Sequence, residues 1–281
     1  MATTAWLGTG LLGAAFVEAA LGRGDQIAVW NRTVSKTAPL AEKGARVGTD
    51  PAATVRGAER VHLVLTDDAV VDQVVAALRP GLGPDTIIVD HTTTQPALTA
   101  VRARRLNAEG VRYIHCPVFI GPAMARKAQG TIMASGPSAL FEAVKAGLEQ
   151  QAANVVYLGD RADLASVYKL CGNALLIGLA GTVSDVLTIA QGAGVAPLDA
   201  LAPLEFLNVG AAIAGRGKSM AAGNFAPSFE LTMARKDVRL MLETATGPLA
   251  VLPGMAARMD ALIAAGFGAA DMGVIARDAV S

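Results

Sequence analysis

The stretch AWLGTGLLGAAFVEAALGRGDQIAVW, Ala5–Trp30, holds a short apolar strand, a glycine-spaced turn, a helix and a second strand in that order. The first strand ends at Leu7 and runs into Gly8, Thr9, Gly10, Leu11, Leu12 and Gly13; the helix continues to Arg23 and the second strand covers Gln26–Trp30. Gly8 makes the tight turn, Gly10 lets the backbone approach an anion, and Gly13 allows the helix to pack closely. The free N–H groups and the positive dipole end of the helix point at the same place. A glycine turn alone is a weak signal, but strand before, helix after and strand beyond read together as a dinucleotide-binding unit.

Outward from this unit, short apolar runs recur between helical stretches: AWLG, QIAVW, VHLVL, TIIVD, VRYIH, TIMAS and VVYLG. Strand alternating with helix predicts a parallel, doubly wound sheet. Leu12–Arg23, Asp68–Leu78 and Pro96–Ala108 have the period of crossover helices, and the LTD before Asp68 is an N-cap signal. After about Gly159 the strand signal ends, and 162–191 reads as one long helix whose central part is apolar on all faces. Such a helix is expected to be buried on every side, between domains and between subunits. Gly172, Gly178 and Gly181 are expected to let another backbone come close. From Pro197 onward the chain reads as helices broken by Gly and Pro. The expected fold class is therefore α/β: an N-terminal Rossmann domain over 1–160, then an all-helical C-terminal domain over 161–281 that includes the interdomain helix. No flexible linker or internal repeat stands out.

The 281 residues carry 24 Lys+Arg and 24 Asp+Glu, with 17% charged and 52% hydrophobic residues and a mean hydropathy of +0.42. Zero net charge without a basic block argues against nucleic acid and against an anionic membrane surface. The longest clean apolar run, Ala174–Val183, is half of the roughly 20 residues that span a bilayer. The apolar surplus is thus expected in cores or in an interface between chains. The start MATTAWLG has no basic segment or signal-type apolar stretch. Cys116 and Cys171 have neither disulfide-framework nor metal-ligand spacing, and His62, His91 and His115 are scattered, so no metal is expected. These features predict a soluble, cytoplasmic protein with reduced thiols.

The second strand ends in Trp30, Asn31, Arg32 and Thr33, with Lys36 close behind. An acid here would bind ribose hydroxyls and repel a 2′-phosphate; a hydrogen-bonding Asn31, a guanidinium and the Thr33 and Lys36 donors favour NADP(H) over NAD(H). On the long helix Lys169 and Asn173 stand at i and i+4 and share a face. Partial burial would make that ammonium an available proton donor, although a lone helical lysine is more often solvated. Lys236 and Asp237 sit in FELTMARKDVRLMLETA, an amphipathic helix whose apolar face is expected to include Leu231, Val238, Leu240 and Met241. Their ordinary reading is a charged surface pair.

Together these stretches resemble the β-hydroxyacid dehydrogenase family, which includes 3-hydroxyisobutyrate dehydrogenase and the glyoxylate/succinic semialdehyde reductases. The resemblance covers essentially the whole chain. It rests on GTGLLG at Gly8–Gly13, HCPVFIGP at His115–Pro122, KLCGN at Lys169–Asn173 and the Lys236–Asp237 pair, with TTTQP at Thr92–Pro96 and WNRT at Trp30–Thr33 in support. It implies a C-terminal domain like that of 6-phosphogluconate dehydrogenase and a homodimer or higher homo-oligomer. By the same resemblance Lys169 is the catalytic proton donor and acceptor, and Asn173 holds the substrate. Leu65, Thr66 and Thr93 flank the ribose and nicotinamide, and Lys236 and Asp237 lie by cofactor and substrate.

The substrate loop departs from the family pattern, in which Asp, a small residue, Pro, Val, Ser, Gly and Gly follow one another. Here His115, Cys116, Pro117, Val118, Phe119, Ile120 and Gly121 stand in those places, and Gly172 stands where many members have asparagine. The spacing to Gly130 is also longer. Phe119 removes a hydroxyl donor and Ile120 hinders backbone approach, which favours a bulkier or more apolar carbonyl compound over a small carboxylate. The expected activity is NADPH-dependent reduction of an aldehyde or ketone related to β-hydroxy acids. The alternatives are an imine reductase, a neighbouring family that generally lacks the lysine, and an NADP-binding protein without catalysis.

Overall fold

The computed structural model describes residues 3–280. The chain folds as two compact units, one up to Asn173 and one from Ala174. The sequence reading places the boundary near residue 160; the unit boundary instead lies inside the long helix, whose first turns pack with the nucleotide-binding half.

The first unit begins with β1 (Thr3–Leu7), α1 (Leu11–Gly22), β2 (Gln26–Trp30), α2 (Ala38–Ala41), β3 (Arg46–Val47), α3 (Pro51–Val55) and β4 (Arg60–Leu63). It continues through α4 (Asp68–Leu78), β5 (Ile87–Asp90), α5 (Pro96–Ala108) and β6 (Arg112–His115). These strands form one sheet in the order β3-β2-β1-β4-β5-β6, every neighbouring pair parallel. The doubly wound α/β class is as expected. Alternation along each strand sorts the core into two layers. Trp6, Ile27, Val29, Val89 and Ile114 pack with Phe16 and Val17 of α1. Ala5, Leu7, Ala28, Val61, Leu63 and Ile88 face Val71, Val75 and Leu78 of α4 and Leu106 of α5. Asp67 caps α4 as the LTD signal predicts, accepting a hydrogen bond from the Val70 N–H at 3.0 Å.

The runs TIMAS and VVYLG do not extend this sheet. After β6 come β7 (Val118–Phe119), α6 (Pro122–Ala125), β8 (Thr131–Ala134), α7 (Ser138–Glu149) and β9 (Asn154–Tyr157), and the three strands form a separate sheet. In it β7 and β8 are antiparallel and β8 and β9 parallel. Pro117, lacking an N–H, separates β6 from β7 along the chain and offers its carbonyl to the Met133 N–H at 3.0 Å.

The long helix α8 (Leu164–Gly192) lies close to the expected 162–191. Leu175 and Leu176 are each 59% exposed and Ile177 is 72% exposed in the single chain. Within the single chain no backbone approaches its three glycines. A Cβ at Gly172 would meet the Phe119 ring and one at Gly181 the Val251 side chain, while Gly178 has no neighbour within 4 Å. Close backbone approach occurs at the helix end, where a Cβ on Gly192 would lie 1.9 Å from the Thr244 carbonyl oxygen.

The second unit contains the remainder of α8 and then α9 (Pro203–Phe206), α10 (Val209–Ala221), α11 (Leu231–Thr244) and α12 (Leu252–Leu262). Leu231, Ala234 and Val238 of α11 pack on Ala256, Met259 and Leu262 of α12. Leu240 and Met241, expected on that apolar face, are exposed instead. The buried Asp185 side chain of α8 accepts hydrogen bonds from the N–H groups of Ala250, Val251 and Leu252. It thereby satisfies the amides at the start of α12, which has no side-chain cap of its own.

Candidate functional site

At the carboxyl ends of β1, β4 and β5 the first unit opens a cleft of about 400 Å³. Gly10, Leu11, Leu12 and Gly13 form one wall, Leu65, Thr66 and Thr93 another, and Val118, Ile120 and Lys169 also face it. The glycine loop has the geometry its spelling requires. Gly8 has φ +97°, and a Cβ there would sit 2.2 Å from the Val64 carbonyl oxygen. A Cβ on Gly13 would lie 2.0 Å from the Gly8 carbonyl oxygen, whereas one on Gly10 would meet nothing within 4 Å. Two glycines are thus fixed by packing and the third faces open space. The N-terminus of α1 follows, without a side-chain cap or an acidic residue in its first turn, so its amides and dipole are left for an anion. This cradle fits a dinucleotide pyrophosphate.

Asn31 braces the cradle. Its Oδ1 accepts a hydrogen bond from the Thr9 N–H at 3.0 Å, and its Nδ2 donates to the Thr33 carbonyl at 3.0 Å. The amide expected to bind cofactor therefore ties the glycine loop to the turn after β2. Arg32, Thr33 and Lys36 on that turn are exposed. The Asp67 carboxyl is held below its ordinary range first by the Val70 amide and the Thr66 hydroxyl; Arg32's positive charge acts in the same direction.

The threonine-rich segment after β5 is fixed from below. Asp90 Oδ1 accepts from the Thr92 N–H at 2.9 Å and Asp90 Oδ2 from the Tyr113 hydroxyl at 2.6 Å. The Leu65 N–H donates to Thr92 Oγ1 at 3.0 Å, joining two walls of the cleft. The same segment anchors α8: the buried Ser166 hydroxyl donates to the Thr94 carbonyl, and Ser135 Oγ accepts from the Ala165 N–H at 3.1 Å. Lys169 follows Ser166 by about one turn, so these bonds aim it at the cleft.

Lys169 Nζ lies 4.3 Å from the centroid of the Phe119 ring. Burial pushes its ammonium below the ordinary lysine range. Asn173, one turn on, is half-buried. Pro117 is buried beneath the cleft, and Gly121 begins α6. Lys236 and Asp237 belong to the second unit and pair with one another, Nζ to Oδ1 2.9 Å, both substantially exposed.

The sequence reading missed His91, which lines the cleft, and its buried partner. His91 Nδ1 is 2.7 Å from the Cys116 carbonyl oxygen, so it carries a proton and donates. Its Nε2, 2.9 Å from His62 Nδ1, then accepts from that ring. Both imidazoles stack with Trp6. Desolvation holds His91 down at about 4, and His62 well below its ordinary value. The sequence signal was present as histidines on adjacent strands of the sheet, but the pairing depends on strand order. Among the described residues no cluster of three metal-ligating side chains occurs.

The family described as the NAD binding domain of 6-phosphogluconate dehydrogenase matches residues 3–159. Glyoxylate/succinic semialdehyde reductase 1 of Arabidopsis thaliana is 28% identical over 267 residues, covering 91% of this chain and 90% of that protein. The cytokine-like nuclear factor N-PAC of Homo sapiens is 26% identical over 244 residues, 84% of this chain but 43% of N-PAC, so the chain spans less than half of that relative. The imine reductase from Myxococcus stipitatus in complex with NADP+ shares the fold, with a TM-score of 0.89 at 21% identity over 98% of this chain and 99% of that one. The glycine loop, the strand order and the match over more than half its length place this chain in the family of the NAD binding domain of 6-phosphogluconate dehydrogenase, the β-hydroxyacid dehydrogenase-like family that its sequence resembles.

Proposed function

We propose that this protein is an NADPH-dependent reductase of carbonyl compounds, with Lys169 as the proton donor. The observation that carries the proposal is the half-buried Lys169 ammonium facing the same cleft as the glycine loop. NADPH, when bound, supplies the hydride. The carbonyl oxygen gains negative charge as the hydride arrives, and an ammonium placed beside it both stabilises that charge and delivers a proton. A lysine pushed below its ordinary range gives up that proton more readily; in the oxidative direction the neutral amine takes it from the alcohol. Arg32, with Thr33 and Lys36 beside it and no acid at the end of β2, supports a preference for the 2′-phosphate of NADP(H). Asn173 is assigned to the substrate, Asp237 likewise, and Lys236 to the cofactor, on family resemblance.

A second reading, imine reduction, is favoured by the fold shared with the Myxococcus stipitatus enzyme; Lys169 speaks for the carbonyl. NADPH oxidation measured over semialdehydes, neutral aldehydes and ketones, and cyclic imines separates them. Turnover of carbonyls is the expected result. Turnover confined to imines would replace the reading, and NADPH binding without turnover of any of them would make the chain a binding protein.

The same reading takes the protein as a cytoplasmic homodimer. By length and composition alone α8 is apolar enough to cross a bilayer. Its exposed Leu175, Leu176, Ile177 and Leu179 equally form the surface a second copy would cover.

A further inference from the structure

Phe119 and Gly172 are fitted to each other. Phe119 is on β7, held in register opposite Thr131 of β8, and its ring enters the notch that the missing side chain at Gly172 leaves in α8. A Cβ at that position would stand 2.2 Å from Cζ and within 3.1 Å of both Cε atoms, distances at which the ring or the helix must move. The backbone beneath is equally committed: Gly130 has φ +92°, and a Cβ there would meet the Phe119 carbonyl oxygen at 2.7 Å. Against the seated ring lies the Lys169 ammonium. Among the described residues it has no hydrogen-bonded or ion-paired partner, so the aromatic face is its one favourable electrostatic contact.

Among the described residues Lys169 is also the one cationic side chain lining the cleft, and its neighbours on that wall, Val118 and Ile120, are apolar. A substrate carrying both a carbonyl and a carboxylate would set the two groups in competition for a single ammonium. The carboxylate would win the ion pair and displace the carbonyl, or lose it and lie unpaired against apolar side chains. Building on the reductase reading above, we infer that Phe119, seated in the Gly172 notch, is a positioning and specificity-determining residue that holds the Lys169 ammonium for the carbonyl oxygen alone, so that the substrates are carbonyl compounds without a carboxylate.

Two independent experiments test this. The first needs no turnover: a thermal-stability cycle of Gly172→Ala, Phe119→Ala and the double variant. Alanine is the better helix former, so with the ring removed Gly172→Ala raises the melting temperature, by about 2–4 °C. With the ring present the same change lowers it. The same sign in both backgrounds would overturn the seating. The second compares kcat/KM for 4-oxobutanoate and its methyl ester. The wild type is expected to favour the ester by roughly tenfold or more, and Phe119→Ala to narrow that ratio. Preference for the acid would overturn the substrate class; turnover of neither, nor of any other carbonyl, would remove the reductase reading and the substrate class with it, leaving the stability cycle to decide the seating.

The pH profile of reduction separates positioning from mere packing. The rate falls as pH rises through the Lys169 pKa. Phe119→Leu keeps the site dry and removes the ring's attraction for the cation, moving that fall to lower pH, by up to about one unit. Phe119→Ala admits water and moves it to higher pH. The other titratable group lining the cleft, His91, is neutral throughout this range and does not move the limb. A limb that shifts the same way in both variants would contradict the positioning role.

Discussion

On the proposed reading Lys169 serves as proton donor because it is half-dry. Burial disfavours its charged form, and no carboxylate among the described residues restores it. Since reduction requires the ammonium and oxidation the amine, raising the pH should slow reduction and speed alcohol oxidation through one common transition below the ordinary lysine range. Initial rates in both directions across alkaline pH check this; parallel rather than opposed limbs would contradict the assignment. His91 shows the opposite use of burial, a group kept neutral inside the fold. Its folded pKa of about 4 lies below the ordinary value of 6.5. The unfolded chain therefore takes up protons first, and stability is full above about pH 6.5 and declines as pH falls toward about 4. His91 alone should lower the unfolding free energy by roughly 2 kcal/mol between pH 8 and pH 5. Urea unfolding at those two values measures it, and an unchanged midpoint would show that the imidazoles are not buried neutral.

Elements that sequence periodicity defined well are those whose residues see mainly their own neighbours. Gly8, Gly10 and Gly13 were legible because a strand-to-helix turn that passes a backbone close to an anion leaves little choice of residue. The limits of α4 and α5 and the cap of α4 were legible for the same local reason. What was not legible depends on non-local partners: β7 and β8 pair antiparallel in a sheet of their own, and the bond from the Thr9 N–H to Asn31 joins residues on different elements. The His62–His91 pair needs the neighbouring positions of β4 and β5. Asp185 is a further case: a carboxylate within an apolar helix that caps a helix far along the chain. Asp185→Ala leaves three amides at the start of α12 without their acceptor and should destabilise the protein by at least about 2 kcal/mol. Chemical denaturation followed by circular dichroism tests this, and a change within about 0.5 kcal/mol would mean that water replaces the carboxylate.

At the scale of the whole molecule, the 52% hydrophobic composition is only partly used within one chain. Two layers of core cover the six-stranded sheet, whereas α8 carries its apolar side chains into the open, Ile177 at 72% exposure among them. Periodicity alone recognised the helix, but an all-apolar pattern does not say whether the covering surface belongs to the same chain or to a second copy. If a second copy covers it, Ile177→Glu should convert a sedimenting dimer into a monomer at micromolar concentration. A wild-type monomer, or partition of the intact chain into lipid vesicles, would contradict that assembly.

If the dinucleotide cradle and the Lys169 ammonium serve one reaction in one cleft, Lys169→Ala removes the proton donor and leaves the cradle intact. Steady-state NADPH oxidation with the best carbonyl substrate and the NADPH dissociation constant, measured side by side for wild type and variant, give the answer. Turnover is expected to fall by about 10²–10⁴-fold with NADPH affinity retained. Turnover within a few-fold of wild type would contradict it.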